Sequence, residues 1–365
     1  MEYVAALKVG QNDIKALVNL EDIRKERFSP LLMMRGKDTK YIDNFLQRWG
    51  ANSFYLDTSR YDIDKNDNFL ISSKVNNPSN AFQNKFDFFQ ACKSKNNSLI
   101  PTVGWKKDDP PREIVQFALN LETSYDLIAI RFDASIDDNY NLNLVRNILN
   151  SVKNPNRIDV IVDYGKEANA ATTPSNAAAI VNELFNTYGV RQVILLSTAF
   201  PEDKPTPGTS RYKTCNDLIW QLSFISTTKR NDIIYGDYAA TNPDSVVDYI
   251  PGMPVIPFTN YLEGFEWWQG RKGKDKEFIK YIDLAKDIIS LPGYHGDNFC
   301  WATKEISRIA KLPPVQGEKY GSNGSWNGYK VNQHICAILD NFRKIKTAPA
   351  GTQGGGQADD DEDDF

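Results

Sequence analysis

The residues of this chain that could do chemistry stand at the ends of short apolar runs. Arg131 and Asp133 close the run Leu127 to Asp133, Asp163 closes Ile158 to Asp163 with Tyr164 behind it, and Asp237 and Tyr238 follow Asp232 to Tyr235. Lys8, Arg35, Asp57, Trp105 and Ser197 stand at or just past the ends of the other runs. If the runs are parallel strands of one barrel, their carboxyl ends share a single face, and that face carries function in such folds. An arginine there holds a phosphate or carboxylate with two parallel hydrogen bonds, so Arg131 is the expected anion holder. Two carboxylates in unlike surroundings divide acid and base work, which makes Asp163 and Asp237 the expected acid–base or metal-holding pair. Arg131, Asp163 and Asp237 are thus the candidate catalytic set. A plainer reading stands beside it: strands end in polar residues where they meet solvent, and Asp often satisfies backbone donors in turns.

Other chemistries find little support. The chain has two histidines, His295 and His334, which excludes a multi-histidine metal site. Its four cysteines, Cys92, Cys215, Cys300 and Cys336, lie far apart without metal-ligand spacing and read as free thiols of a reducing compartment. No Gly-x-Ser-x-Gly elbow, His-Glu-x-x-His helix, phosphate loop or kinase set is present. No metal is expected, and no cofactor is indicated. Trp267, Trp268, Arg271 and Lys272 form an aromatic-basic stretch that could stack bases and hold phosphates. More often such a stretch is an aromatic cover over a barrel end followed by a solvated charged turn, and that reading is preferred.

The elements that must position these residues alternate along the chain. Apolar runs occur at Tyr3 to Lys8, Pro30 to Met34, Ser53 to Asp57, Leu99 to Val103, Leu127 to Asp133, Ile158 to Asp163, Gln192 to Leu196 and Asp232 to Tyr235. Helical patterns intervene, for example at Thr39 to Trp49, Ala81 to Lys95, Leu142 to Val152 and Thr214 to Ser226. Near-continuous apolar runs predict strands buried on both faces, as in a parallel sheet. Eight such units predict an α/β fold of the closed (β/α)8 type, a TIM-like barrel, with an open doubly wound sheet as the alternative. From about residue 250 an extension follows. It comprises an aromatic hairpin over Val255 to Gly270, helices at 276–290 and 298–311, a glycine-rich loop at 317–328 and a last helix at 331–345. The expected organisation is a body of 1–346 and a flexible linker with an acidic tail over 347–365.

Composition bounds the function. The chain has 365 residues, 41% hydrophobic and 25% charged, enough to bury a large core. No run of about 18 apolar residues is present, so no membrane-spanning helix is expected, and with no signal peptide the expected location is the cytoplasm. The net charge of −4 is a property of the tail. Asp359, Asp360, Asp361, Glu362, Asp363 and Asp364 hold six acids, and without them the body carries two more basic than acidic groups. A near-neutral body gives no general case for nucleic acid, which stays possible but not favoured.

Several motifs occur in a familiar order. They are Tyr3 to Lys8 with Ile14, Lys15, Ala16 and Leu17, then Pro30-Leu-Leu, Gly236-Asp237-Tyr238, the Thr259 to Gly270 aromatic segment, Phe299-Cys300-Trp301, and Gly321 to Trp326 leading to His334 and Ile335. In this order the chain resembles, over roughly residues 2 to 340, the "protein beta" family of bacteriophages and bacteria. That family often has two adjacent histidines at the last site; here Gln333 precedes His334. The resemblance implies a phage or mobile-element setting and transfers no catalytic residue. The glycine-rich linker, the acids 359–364 and Phe365 resemble the carboxy-terminal tip of single-stranded-DNA-binding proteins, without the Ile-Pro usual before the phenylalanine. Such a tip docks on replication or repair proteins: the phenyl ring fills an apolar pocket, the α-carboxylate meets a basic residue and the acids steer the approach. The expected function is therefore a phage-associated cytoplasmic interaction protein that contacts a replication or repair partner through Asp359 to Phe365. The alternatives are a barrel enzyme acting on a phosphorylated or nucleotide-like substrate, and a nucleic-acid-binding protein.

Overall fold

Eight parallel strands close into a barrel in the computed structural model, which describes residues 1–58, 68–135, 139–166, 173–243 and 254–347. The strands are β1 (Tyr3–Lys8), β2 (Phe28–Met34), β3 (Phe54–Thr58), β4 (Leu99–Val103), β5 (Ile128–Asp133), β6 (Ile158–Gly165), β7 (Gln192–Ser197) and, after an excursion through β8 (Thr209–Thr214), β9 (Ile233–Asp237). β9 pairs in parallel with β1, from Tyr3 with Tyr235 to Ala5 with Asp237, and this pairing closes the ring. The closed barrel is the architecture expected from the eight apolar runs.

The helices outside it are α1 (Gln11–Val18), α2 (Asp22–Lys25), α3 (Lys40–Arg48), α4 (Asn68–Ser73), α5 (Ser79–Lys95), α6 (Pro111–Ser124), α7 (Asn139–Ser151), α8 (Thr173–Glu183) and α9 (Asn216–Thr228). Each long one presents an apolar stripe to the strands. In α6 the stripe is Ile114, Phe117, Ala118 and Leu121, at helical spacing behind a first-turn proline. Inside the barrel a separate layer of side chains, including Val4, Leu31, Tyr55, Ala129, Ile161, Ile194 and Ile234, fills the lumen. Among the described residues no helix is long and apolar enough to cross a membrane.

The extension is a second, antiparallel sheet with three helices. Its strands run in the order β10 (Phe258–Glu263), β11 (Glu266–Arg271), β8, followed in the chain by α10 (Tyr281–Ile289), α11 (Trp301–Ala310) and α12 (Asn323–Thr347). Two features differ from the sequence expectation. β8 has no apolar periodicity, because nearly all of its residues are exposed and it exists through pairing with β11. The last helix begins at Asn323, inside the stretch read as a glycine-rich loop. Gly324 and Gly328 are there because α12 presses on α1: a Cβ at these positions would lie 2.7 Å from Asn12 Nδ2 and 3.1 Å from Asn12 O.

α12 straps the barrel lengthwise. Near its start it meets Asn12, just past the carboxyl end of β1. Midway, Gln333 accepts from the Leu262 N–H (3.0 Å) and donates to the Leu262 carbonyl (2.8 Å), so a side-chain amide occupies the free edge of β10. Further on, the Leu339 carbonyl accepts from Arg27, ahead of the amino end of β2. All four cysteines are buried and unpaired. Residues 359–365, the expected partner-binding tail, lie outside the described residues.

Closure of the ring is sensitive at Gly236, whose added Cβ would lie 2.7 Å from the backbone oxygen of Leu195 on β7. Gly236→Ala should lower unfolding stability by about 1–3 kcal/mol, the usual cost of overpacking a rigid core. Urea denaturation followed by far-UV circular dichroism checks this; an unchanged midpoint means that the β7–β9 seam is slack.

Candidate functional site at the barrel mouth

The strands alternate their side chains between lumen and helices, and at the carboxyl ends the lumen side turns from apolar to charged. On β5 the inward sequence is Ala129 then Arg131; on β6, Ile161 then Asp163; on β3, Tyr55 then Asp57. Arg131 is the hub. Its Nε and Nη2 donate to Asp163 Oδ2 at 3.1 and 2.9 Å, and its Nη1 donates to Asp57 Oδ2 at 3.3 Å. The Tyr238 hydroxyl donates to Asp163 at 2.7 Å and accepts from Arg131 Nη2 at 3.1 Å. Lys85, reaching in from α5, donates to Asp57 Oδ1 and to the Gly104 carbonyl, both at 3.3 Å. The backbone N–H groups of Thr58 and Gly165 add bonds to Asp57 and Asp163 at 2.8 and 2.9 Å. Two cations and two carboxylates therefore sit together in the interior, all four buried.

The local chain is shaped to make this set possible. α5 opens with three successive left-handed residues, Asn80, Ala81 and Phe82, with φ of 54°, 54° and 55°. Residues with side chains adopt this conformation at a cost of order 1–3 kcal/mol each. The turn buries Phe82 and presents the Ala81 N–H to Glu113 Oε2 at 2.7 Å. One helical turn later Lys85 points at Asp57. Gly104 leaves room for that carboxylate: a Cβ there would lie 3.0 Å from both Asp57 oxygens. A cleft beside it is lined by Thr58, Asn76, Gly104, Trp105, Lys106 and Asp109.

The structure divides the candidate catalytic set. Arg131 and Asp163 come together, but Asp237 faces the helices on the other side of its strand. Asp237 accepts from the hydroxyls of Tyr3 and Tyr235 and from the Ala239 N–H, and lies 2.7 Å from His334 Nε2 of α12. Burial and the neighbouring Asp237 charge hold both tyrosines well above their usual range. His334 is stacked on Trp267, with ring centroids 4.7 Å apart and planes 4° from parallel. Asp237 thus fastens α12 to the barrel wall, and its neighbour Tyr238 is the residue that enters the lumen.

The aromatic-basic stretch is also rearranged. Trp267 and Trp268 are buried, so they offer no stacking platform to a base. Lys272 is paired with Asp287, and Arg271 is half-buried at the end of β11. Asp57 and Tyr238 are among the strand-end residues expected at the mouth, although neither belongs to the candidate catalytic set. Lys85 gave no signal, because a lysine on an amphipathic helix ordinarily faces solvent.

Comparison with known proteins places the chain. The model of the family described as Beta protein matches residues 3–340, all of the barrel and nearly all of the extension. The chain belongs to the Beta protein family. No curated protein matches it. Among solved structures, the catalytic domain of a hyperthermophilic chitinase from Pyrococcus furiosus is similar at 9% identity, over 66% of this chain and 83% of that one, with a TM-score of 0.41. Likeness at that level carries no argument about activity.

Arg131→Met would leave Asp57 and Asp163 facing each other in the interior. The expected loss is about 3–5 kcal/mol of stability, the usual cost of removing one partner of a buried charge pair. Adding Asp163→Asn to that variant should restore part of the loss. Equilibrium unfolding of the single and double variants checks the coupling; additive losses would mean that the hub does not act as a unit.

Proposed function

We propose that this member of the Beta protein family is an interaction protein of a phage or its bacterial host, acting in the cytoplasm. Its barrel body carries a linker whose acidic end, Asp359 to Phe365, docks on a replication or repair protein. The observation that carries the reading is the division of charge. Six acids are concentrated in residues 359–364, while the rest of the chain has a small basic excess. In the barrel the strongest charges are already matched: Arg131 and Lys85 are spent on Asp57 and Asp163. Arg131 and Lys85 thus have carboxylates of their own, and the tail acids are available to a basic surface on a partner.

The course of α12 supports the same reading. Its end, Thr347, lies beyond Leu339 and Phe342, which pack against Arg27 and Tyr235 away from the mouth. The chain therefore leaves the described body on the side opposite the mouth. A glycine-rich linker then lets an acidic segment search for a partner while the body stays free. The chemistry of recognition is a phenyl ring entering an apolar pocket, with acids guiding the encounter at low salt. The barrel-enzyme alternative loses one of its two acids to the α12 contact, and the nucleic-acid alternative loses its two tryptophans to the core.

The decisive comparison is a pull-down with the intact protein and with Phe365→Ala, its captured proteins identified by mass spectrometry. Each captured protein is then titrated with a labelled peptide of residues 359–365. A buried aromatic anchor carries about 2 kcal/mol or more, so the substitution should weaken peptide binding by roughly thirtyfold. Added salt should weaken it further. Equal capture by both proteins would overturn the docking role.

A further inference from the structure

A second group of charged residues lies at the rim of the mouth, where the extension meets the barrel. Lys204 follows β7, Arg271 ends β11, and Lys330 stands in the second turn of α12. β10 and β11 set Phe258 directly opposite Arg271. Lys204 Nζ lies over the Phe258 ring, 5.4 Å from its centre, and Arg271 Nη1 reaches the carbonyl of Pro205, the next residue, at 3.3 Å. Lys330 Nζ lies over Phe200, 5.2 Å from the ring centre, and Phe200 packs edge-on against Trp267. From the barrel side comes Asp13 of α1, the helix that Gly324 and Gly328 hold against α12. Three cations from three separate segments thus come together, two of them over phenyl rings.

Their charge is poorly compensated. Among the described residues, neither Lys204, Arg271 nor Lys330 has a carboxylate within ion-pair distance. Of the nearby acids, Asp203 is engaged by Arg211 at 2.5 Å, Asp287 by Lys272 at 2.6 Å and Glu277 by the Lys274 N–H at 2.9 Å, while Asp13 acts on Lys330 from beyond ion-pair distance. The Arg271 Nε–H is buried without an acceptor among the described residues, and a buried donor left unpaired costs stability. Lys330 is half-buried, whereas Lys204 is exposed.

We propose that Lys204, Arg271 and Lys330 form a binding site for a small phosphate-bearing ligand, a phosphate monoester or inorganic phosphate, at the rim of the barrel mouth. Arg271 supplies the planar donor pair that matches two phosphate oxygens, and the lysines act as point charges on either side. Phe200 and Phe258 wall the site and offer faces to the organic part of a monoester. The segment after the seventh barrel strand is a frequent phosphate-binding position in barrels of this kind, and here it contributes Phe200 and Lys204. The electrostatics agree. Burial pushes the Lys330 ammonium down to about 8; Asp13 works against that shift and Lys204 adds to it. Lys204 is lowered by burial and by Arg271. Burial also raises Asp13 to about 6, opposed by Lys330 and Lys8. An anion among the three cations would relieve their mutual repulsion. The site is separate from the Arg131 network.

Isothermal titration of the full chain at neutral pH, with inorganic phosphate and with phenyl phosphate, tests the site. Saturable binding of at least one is expected, weakened about tenfold or more by Arg271→Met and by Lys330→Met. Lys204→Gln serves as a third variant should either of those fail to fold. Lys153→Met, a lysine remote from the rim, should bind as the parent does. Three results would overturn the proposal: no binding up to about 10 mM, equal binding by the rim variants, or a single-stranded oligonucleotide binding more tightly than phenyl phosphate.

Discussion

The barrel depends on one buried guanidinium. Arg131 stands in the lumen with Asp163 and Asp57 on two sides and the Tyr238 hydroxyl on a third, and Lys85 completes the charge balance. Below this layer the lumen is mainly apolar down to Asp159, which accepts from the Tyr55 hydroxyl and pairs with Arg191; above it are the loops of the mouth. Taking four charges out of water is expensive, and mutual attraction offsets it only with good geometry and further hydrogen bonds. The backbone N–H groups of Thr58 and Gly165, the carbonyl of Gly104 and the tyrosine hydroxyl supply those bonds. The strained opening of α5 is understandable in this light, since it brings Lys85 to the one carboxylate that Arg131 contacts through a single bond.

The same constraint explains why the fold was legible in the sequence and the lumen was not. Eight apolar runs separated by helical patterns are a strong signal, because strands buried on both faces cannot afford polar interruptions. That very continuity hides the parity of each strand. In Ile233-Ile234-Tyr235-Gly236-Asp237-Tyr238 no polar alternation tells which residues face inward, so Asp237 and Tyr238 look equally able to enter the mouth. The structure sends Tyr238 in and Asp237 out. Arg131 and Asp163 were legible as strand-end charges; Lys85 was not, since its pairing follows from a left-handed turn that no propensity predicts. β8 and the start of α12 were hidden for related reasons. β8 owes its existence to a partner far along the chain, and the glycines of α12 record close packing and not a loop.

The extension resolves a second problem. A three-stranded antiparallel sheet has edges, and β10 would expose one of them. Gln333 of α12 covers that edge with an amide that mimics the missing neighbour. The next residue, His334, reaches Asp237 on the barrel wall and stacks on Trp267 of the sheet. Two adjacent side chains on one helix therefore tie barrel, sheet and strap together. This is why Asp237, an obvious acid at a strand end, is used as a fastener.

The two halves of the mouth then differ in kind. In the lumen Arg131 and Lys85 both face carboxylates. At the rim, where the sheet and α12 lean over the barrel, Lys204, Arg271 and Lys330 have no carboxylate within ion-pair distance among the described residues, and an arginine N–H is buried there without a described acceptor. A protein that needed these groups only for solubility would leave them in water, where hydration satisfies them at little cost. Holding Arg271 and Lys330 half-buried near Lys204 works against stability unless something anionic visits them. The physical contrast between a neutralised interior and an uncompensated rim identifies the rim as the part of the barrel built to meet a ligand.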